Sequence, residues 1–455
     1  MLTYDLRKAP GLPLYEALYR CIRDDILSGQ LASGEKLPSK RALAENLEVS
    51  KITVESAYNQ LLQEGYIRSV EKVGYFVEVV EHIQPVPVES PKPESQRALF
   101  VDLTANGPAK FPFSVWNRLQ REVMLDLGPT LLQHLPNQGL LALRQAIARH
   151  LAQFRGMRVQ PEQILVGAGT DFLYNLLIQL LGREKRYAVE EPGYDKIRRI
   201  YAAAGAVCVD AHMDELGVCP EALADADVLH ISPSHHFPTG LVTPVSRRQE
   251  LLNWARQKKD RWIIEDDYDS EFRFAAHPMP AMQAMDSSRV IYMNTFSKTL
   301  APSIRISYMV LPTELMEQFQ QKLGFYSCTV PGFEQYTLAR FLDEGHFEKH
   351  INRMRRFYKS RRNRVLAAIT TCPAAAKLTV QEENAGLHFL VKVDTEESDA
   401  ALVERCRRAD IQVRSLGSYY RGQVPERAER CLVVNYSGIS EEQLVLLEDR
   451  LGRIL

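Results

Sequence analysis

The chain has 455 residues, 45% of them hydrophobic and 25% charged, which is enough for two or three folded units with separate cores. No apolar run is long enough to span a bilayer, and the amino terminus, with Asp5, Arg7 and Lys8, lacks a signal-peptide core, so the expected location is the cytoplasm with no membrane partner. A net charge of −1 names no partner, and seven dispersed cysteines without Cys-x-x-Cys spacing argue for free thiols and against a zinc site or a disulfide frame.

Residues 13–27 place Leu14, Leu18, Ile22 and Ile26 on one helical face. Leu37-Pro38-Ser39-Lys40-Arg41 opens a second helix that Ser39 caps and that buries Leu43, Ala44 and Leu47. Val49-Ser50 leads into a third helix over residues 51–64, which buries Val54, Ala57, Leu61 and Leu62. Residues 66–79 alternate around Gly74 as a hairpin, so residues 1–80 describe a helix-turn-helix with a β-wing. A small helical interaction domain competes with that reading, because residues 1–80 hold ten Lys or Arg against eleven Asp or Glu. Placement favours DNA: Lys36, Lys40, Arg41, Lys51, Arg68 and Lys72 fall at helix entries and on the wing, where such a domain meets phosphates. The candidate DNA contacts are Ser39, Lys40, Arg41, Ser50, Lys51, Thr53, Lys72 and Gly74. Residues 81–99, rich in proline, read as a semi-rigid tether to a body over residues 100–455.

In that body residues 139–154 form a helix with Leu140, Leu143, Ile147 and Leu151 on one face. Residues 164–166 are a buried strand, Gly167-Ala168-Gly169 a turn and residues 170–181 a helix. Such a turn binds anions, because free backbone N–H groups and the helix dipole face it, so Gly169 and Thr170 are candidate phosphate ligands. Asp171 either caps that helix or, facing the ligand, repels a phosphate. Residues 187–190 form a strand ending at Glu191-Pro192-Gly193-Tyr194, where Tyr194 is either a core or rim tyrosine or a lid for a planar ring. Strands at residues 207–210, 228–231 and 262–265 alternate with helices such as 246–259, the pattern of a mostly parallel sheet whose ligands gather at strand carboxyl ends. Past the strand at 262–265 come Asp266, Asp267, Tyr268, Asp269, Ser270 and Glu271, acids suited either to a ring nitrogen or to a divalent cation.

Residues 289–293 are another buried strand and residues 304–311 a β-like run, which puts Lys298 at a strand-end turn. A lysine there condenses with an aldehyde if its pKa is lowered, and pyridoxal phosphate is the common aldehyde cofactor held this way. The hydroxyls of Thr295 and Ser297, with Arg305, are suited to its phosphate. A lone Ser-Lys pair is more often a solvated loop; the other stretches change that balance. Residues 312–325 and 331–370 read as helices with a break near Gly345, and the basic run 353–364 as a solvated helix face. Strands at 387–393 and 432–435 with helices near Ala401 and Glu441 complete a smaller α+β lobe over roughly residues 330–455.

Glu-Asp-Asp-Tyr-Asp-Ser-Glu-Phe-Arg from residue 265, Pro-Ser-His-His-Phe-Pro-Thr-Gly from residue 233 and Thr-Phe-Ser-Lys from residue 295 resemble the MocR/GabR-type regulators. Those are chimeras of a GntR-type winged helix, mainly α with a β-wing, and an α/β fold-type-I aminotransferase body. Leu37-Pro38-Ser39, Val49-Ser50 and Glu64-Gly65-Tyr66 are similar to the GntR pattern, so the resemblance covers nearly the whole chain. It implies pyridoxal phosphate in Schiff-base linkage to Lys298, with Asp266 on the ring nitrogen, Tyr268 on the ring hydroxyl and Tyr194 stacked on the ring. It further implies Arg305, Thr295 and Ser297 on the phosphate. The implied partners are a double-stranded DNA operator, a small-molecule effector and a second copy in a head-to-tail, domain-swapped homodimer. An active aminotransferase with an accessory amino-terminal domain is the alternative, but a tethered winged helix has no use in transamination.

The departures from the family pattern concern specificity. Glu55 stands where many relatives have arginine, His134 near a place where a tyrosine often reaches the partner's phosphate, and Asp171 where glutamine is usual. The arginine that forks onto a substrate carboxylate falls at or beside Val433; Arg430, an odd three residues away, faces the other side of the strand. Lys196 replaces an effector-binding arginine, and Arg414 is the candidate substitute on the neighbouring strand. The effector is then pyridoxal phosphate itself, or an amine or amino acid held by Arg414, and any transamination is weak.

Overall fold

The computed structural model describes the chain except residues 1, 5, 7–11, 80–99, 106, 108–109, 273–278, 383–385 and 455. The proline-rich tether at 81–99, the amino-terminal charges Asp5, Arg7 and Lys8, and the last residue of the acidic motif lie outside the described residues. The chain divides into two compact units, Met1–Gln96 and Arg97–Leu455.

The first unit holds helices α1 (Leu14–Ser28), α2 (Lys40–Asn46) and α3 (Lys51–Gln63), then the hairpin β1 (Ile67–Val70) and β2 (Gly74–Val77). Leu18, Ile22, Leu43, Val54, Ala57, Tyr58 and Leu61 form its core with Ile67 and Val77 from the hairpin. The expected cap is present, with Ser39 Oγ accepting from Ala42 N at 3.2 Å, and Ser50 caps α3 in the same way, its Oγ accepting from Thr53 N at 3.0 Å. Each satisfies a backbone N–H that the first helical turn leaves without a partner. The wing tip carries Lys72 in the left-handed region at φ 59°.

The second unit begins with β3 (Val101–Asp102), α4 (Phe113–Leu127) and α5 (Leu141–Phe154). It continues as β4 (Ile164–Gly167), α6 (Thr170–Leu181), β5 (Arg186–Glu191), α7 (Asp195–Ala203), β6 (Val207–Asp214), β7 (Gly217–Val218) and β8 (Val228–Ile231). Next come α8 (Val245–Arg256), β9 (Trp262–Asp266), α9 (Met282–Met285), β10 (Val290–Thr295), α10 (Phe296–Thr299) and β11 (Ser307–Val310). Eight strands pair in the order β4-β11-β10-β9-β8-β5-β6-β7. The five from β10 to β6 run parallel as expected, whereas β11 is antiparallel to both its neighbours. Residues 296–306 are too few for a crossover, so the chain must turn straight back after β10, and Lys298 sits in that turn.

Strand alternation sorts the residues of β9 between two layers. Ile263 packs with Leu229, Leu251 and Trp254 under α8, while Ile264 packs with Leu177, Met293 and Phe319 on the side of α6.

The smaller lobe follows α11 (Thr313–Leu323): α12 (Gly332–Asp343), α13 (His346–Thr371), β12 (Leu378–Gln381), β13 (His388–Val393), α14 (Asp399–Arg408), β14 (Ile411–Gln412), β15 (Arg414–Ser415), β16 (Cys431–Asn435) and α15 (Glu441–Ile454). The break between α12 and α13 falls at Gly345, whose φ of 69° suits glycine. Strands β12-β13-β16-β15 make an antiparallel sheet, and β3 pairs in parallel with β14, so residues 101–102 join a lobe expected only from about residue 330. The basic run on α13 is not a purely solvated face. Arg362 is buried, Arg355 Nε donates to Glu271 O at 2.6 Å, and the Arg361 guanidinium lies 4.4 Å from the Phe357 ring centre, because long stems fold over apolar surface while their heads find acceptors.

Candidate functional site

The acids at the end of β9 and just past it do not converge on a cation: neighbours turn to opposite faces and each finds its own partners. Glu265 accepts from Met282 N at 2.9 Å and Gln283 N at 3.0 Å. Asp267 pairs with Arg155 at 3.0 Å and accepts from Tyr292 Oη at 2.6 Å. Asp269 lies 2.8 Å from His235 Nδ1. Asp266 faces the α6 side, where Tyr174 donates to its Oδ2 and His230 Nε2 stands 3.5 Å away. Tyr201 Oη lies 2.6 Å from His230 Nδ1, which extends the chain of polar groups behind the carboxylate. Asp266 Oδ1 is buried and has no hydrogen-bond partner, although such a group is ordinarily satisfied.

Lys298 lies in α10, held by Thr295 at the end of β10. The Lys298 ammonium is pushed below the ordinary lysine value by burial, and the charges of Asp269 and Asp266 oppose that shift. Thr295, expected on a phosphate, is instead spent on the turn: its hydroxyl accepts from Ser297 N at 3.1 Å and Ser307 Oγ at 2.7 Å. Ser297 Oγ, by contrast, is buried without a partner.

The glycine turn between β4 and α6 carries Arg305 across it. Gly169 has φ 91°, and a Cβ built there would meet Arg305 Nη2 at 2.1 Å, so the close approach requires glycine. Arg305 Nη2 donates to Ala168 O at 3.3 Å, with Thr170 opening the helix alongside. Together with the free N–H groups of the first turn this is an anion cradle. Asp171 does not cap the helix; its Oδ2 lies 2.8 Å from Lys196 Nζ and 3.7 Å from Arg305 Nη2. Lys196, expected to face an effector, is thereby drawn to the cradle.

Buried histidines lie beside Tyr268. Tyr268 Oη is 3.3 Å from His235 Nδ1, and the His235 ring lies 4.7 Å from that of His388 on β13. Burial holds His388 well below the usual imidazole range and pushes His236 down to about 3. Burial also pushes the Glu190 carboxyl well above the usual carboxylate range, and Glu190 Oε2 accepts from Ser232 N at 3.0 Å. Tyr194, expected flat on a ligand ring, is 50% exposed and meets the edge of Phe237 at 6.0 Å. Val433 packs with Leu390, Leu416, Phe237 and Tyr419. Arg414 is its cross-strand partner and so shares its face, whereas Arg430 turns away to donate to Thr395 O at 3.1 Å.

The sequence did not single out Tyr174, Tyr201, His230, Glu190 or His388 for this pocket. His230 had a signal, a lone histidine in an otherwise apolar strand; its use follows from the register, which pairs it with Ile264, two residues before Asp266.

On the first unit, Arg41 is exposed in a pair with Glu45 at 2.9 Å, and Lys51 and Lys72 are exposed at the start of α3 and the wing tip. Lys40 differs from expectation. Its side chain is only 18% exposed, bound to Glu55 at 2.8 Å and set 5.4 Å from the Tyr75 ring centre, so it fastens α2 to α3 and the wing. Ser39, Ser50 and Thr53 serve the helix caps, and Gly74 leaves room for the Lys36 stem, which an added Cβ would meet at 3.1 Å.

Residues 100–451 match the family Aminotransferase class I and II, and residues 14–77 match Bacterial regulatory proteins, gntR family. The chain is 33% identical to the HTH-type pyridoxine biosynthesis transcriptional regulator PdxR of Corynebacterium glutamicum, over 93% of this chain and 92% of that protein. It is 31% identical to the probable rhizopine catabolism regulatory protein MocR of Rhizobium meliloti, over 98% and 94%. The chain belongs to the MocR-type family of GntR regulators. It is thus a helix-turn-helix transcriptional regulator with an aminotransferase-like domain. The fold of this MocR-type body is shared with an archaeal alanine:glyoxylate aminotransferase, at a TM-score of 0.68 and 22% identity over 78% of this chain and 91% of that one. It is also shared with LysN of Thermus thermophilus complexed with N-(5'-phosphopyridoxyl)-L-leucine, at a TM-score of 0.66 and 23% identity over 78% and 92%. Among the described residues no helix is long and apolar enough to cross a membrane.

Class I and II aminotransferases depend on pyridoxal phosphate, and the pocket fits that group. The features that fit it are the buried, unpartnered Asp266 Oδ1 and Ser297 Oγ, the Arg305 guanidinium beside the α6 terminus, and a Lys298 amine whose pKa is lowered.

The opposed terms on Lys298 give a signed expectation. Asp269→Asn removes a charge that raises the amine, so its pKa falls further below the ordinary lysine value. Reductive methylation of apo protein across pH, mapped by mass spectrometry, reads this; an upward shift or none contradicts it.

Proposed function

We propose that this MocR-type regulator binds pyridoxal phosphate through Lys298 and couples its occupancy to operator binding. The observation that carries the reading is the buried, unpartnered Asp266 Oδ1, in a pocket whose lysine feels the same carboxylate. When bound, the cofactor supplies an aldehyde for the Lys298 amine and an electron-accepting ring. Asp266 accepts from the ring N–H, Tyr268 orients the ring hydroxyl, and Arg305, Ser297, Gly169 and Thr170 hold the phosphate. Tyr194 closes over the ring from the mouth of the pocket.

Pyridoxal phosphate itself is the favoured effector. The relative PdxR is named for pyridoxine biosynthesis, and the place of a substrate-carboxylate arginine falls at or beside Val433, which packs in an apolar cluster. The second reading, an amine or amino acid held by Arg414, is favoured by the shared face of Arg414 and Val433. In either case turnover is weak, because a bidentate anchor in the usual place is missing.

The operator is read by two winged helices of a head-to-tail homodimer. Large apolar side chains on and after α4, Leu125 at 76% and Leu132 at 80% exposed, support a second copy covering this surface. Light scattering at micromolar concentration is expected to give twice the chain mass, and a monomer speaks against the arrangement.

Purified protein is expected to be yellow, with borohydride fixing the cofactor to Lys298; label on another lysine refutes the assignment. Arg41→Ala and Lys51→Ala are each expected to weaken operator binding about three- to tenfold and to reduce its salt slope by about one, with cofactor absorbance unchanged. Gel shifts with apo protein, with cofactor alone and with added amino acids or amines complete the test. If cofactor alone changes nothing while a common α-amino acid changes affinity and is rapidly transaminated, the aminotransferase alternative replaces this reading.

A further inference from the structure

Asp171 is an acid in a cradle built for an anion. It is the second residue of α6, and its carboxylate lies 2.8 Å from Lys196 Nζ and 3.7 Å from Arg305 Nη2. The Arg305 guanidinium lies over the turn, in the space where a side chain on residue 169 would begin, and its side chain is half exposed. A phosphoryl dianion bound at the α6 terminus would meet Arg305 with the Asp171 carboxylate beside it and a like charge within the same first turn.

We propose that Asp171 is a built-in competitor for the phosphoryl group, setting the affinity of the pocket for phosphorylated ligands, and that Lys196 moderates it by holding its carboxylate. The inference rests on the reading that this cradle takes the cofactor phosphate. Its consequence is regulatory. A cofactor that is itself the signal must leave when its concentration falls, and a carboxylate on the phosphate-binding arginine weakens the bound state while leaving the ring contacts intact. All three side chains are partly exposed, so the competition is softened by solvent and tunes affinity without abolishing it.

The test is an absorbance titration of the apo protein with pyridoxal phosphate and, separately, with pyridoxal, which lacks the phosphate. Asp171→Asn keeps the size of the side chain and removes its charge. It is expected to tighten pyridoxal phosphate about tenfold and slow its release, with pyridoxal unchanged. Lys196→Ala frees the carboxylate and is expected to weaken pyridoxal phosphate about threefold, an effect that disappears in the Asp171→Asn background. A merely structural role for Asp171 moves both ligands together, and that result overturns the proposal. So does unchanged or weaker pyridoxal phosphate binding in Asp171→Asn. If the wild-type protein forms no adduct at Lys298 with pyridoxal phosphate, the reading of the pocket itself fails and the proposal falls with it.

Discussion

The buried carboxylate of Asp266 is the constraint on which the larger unit depends. Taking a charge out of water is tolerable only if it is hydrogen-bonded or paired, and here one oxygen is served by Tyr174 and approached by His230 while the other waits. That arrangement rests on α6, which supplies Tyr174, and on β8, which pairs in parallel with β9 and supplies His230. The same logic explains the neighbouring acids. Each of Glu265, Asp267 and Asp269 is neutralised or hydrogen-bonded by a different element, so one acidic stretch secures α9, the residue after α5 and the histidine-bearing loop at once.

Much of this was legible in the sequence because its local signals are strong. Serine caps before apolar helical faces located α2 and α3, and short apolar runs located β8, β9 and β10. The glycine-bounded turn before α6 and the Thr-Phe-Ser-Lys turn after β10 marked the two ends of the pocket. Contacts set by register and long side chains were not legible. Lys40 looked like a phosphate contact from its position at a helix start, but Glu55, fifteen residues later, sits one helix away and captures it. Thr295 looked like a phosphate ligand until the antiparallel return of β11 brought Ser307 within hydrogen-bonding distance of its hydroxyl. His388 belongs to the other lobe, and no local pattern connects it to His235.

The amino-terminal unit shows why net charge is a poor guide to DNA binding. Its acids are placed where they manage its own bases: Glu55 holds Lys40, Glu45 pairs with Arg41, and Glu78 lies 3.3 Å from Arg68. Exposed pairs of this kind are worth little and exchange readily for phosphate; in the Lys40 pair only the lysine is largely covered, against Tyr75, while Glu55 stays exposed. Of the six basic residues expected to meet phosphates, Lys40 is thus the one held by its own unit, while Lys36, Arg41, Lys51, Arg68 and Lys72 remain exposed or in exposed pairs.

Two departures from an enzyme's needs fall in the larger unit, and they act in the same direction. An aminotransferase holds its cofactor tightly and its substrate carboxylate by a forked arginine. On the proposed reading that arginine's place falls at or beside Val433, which packs in a cluster that includes Phe237 and Tyr419, and the acid Asp171 lies 3.7 Å from Arg305, the proposed phosphate ligand. On that reading the first would weaken the grip on a substrate, and the second would weaken the grip on the cofactor while leaving Asp266 and Lys298 in place. A pocket altered in both ways retains the chemistry that recognises an aldehyde and a protonated ring, and loses the anchors that make turnover efficient. Recognition without commitment is what a sensor requires, since only a ligand that can leave reports its own concentration.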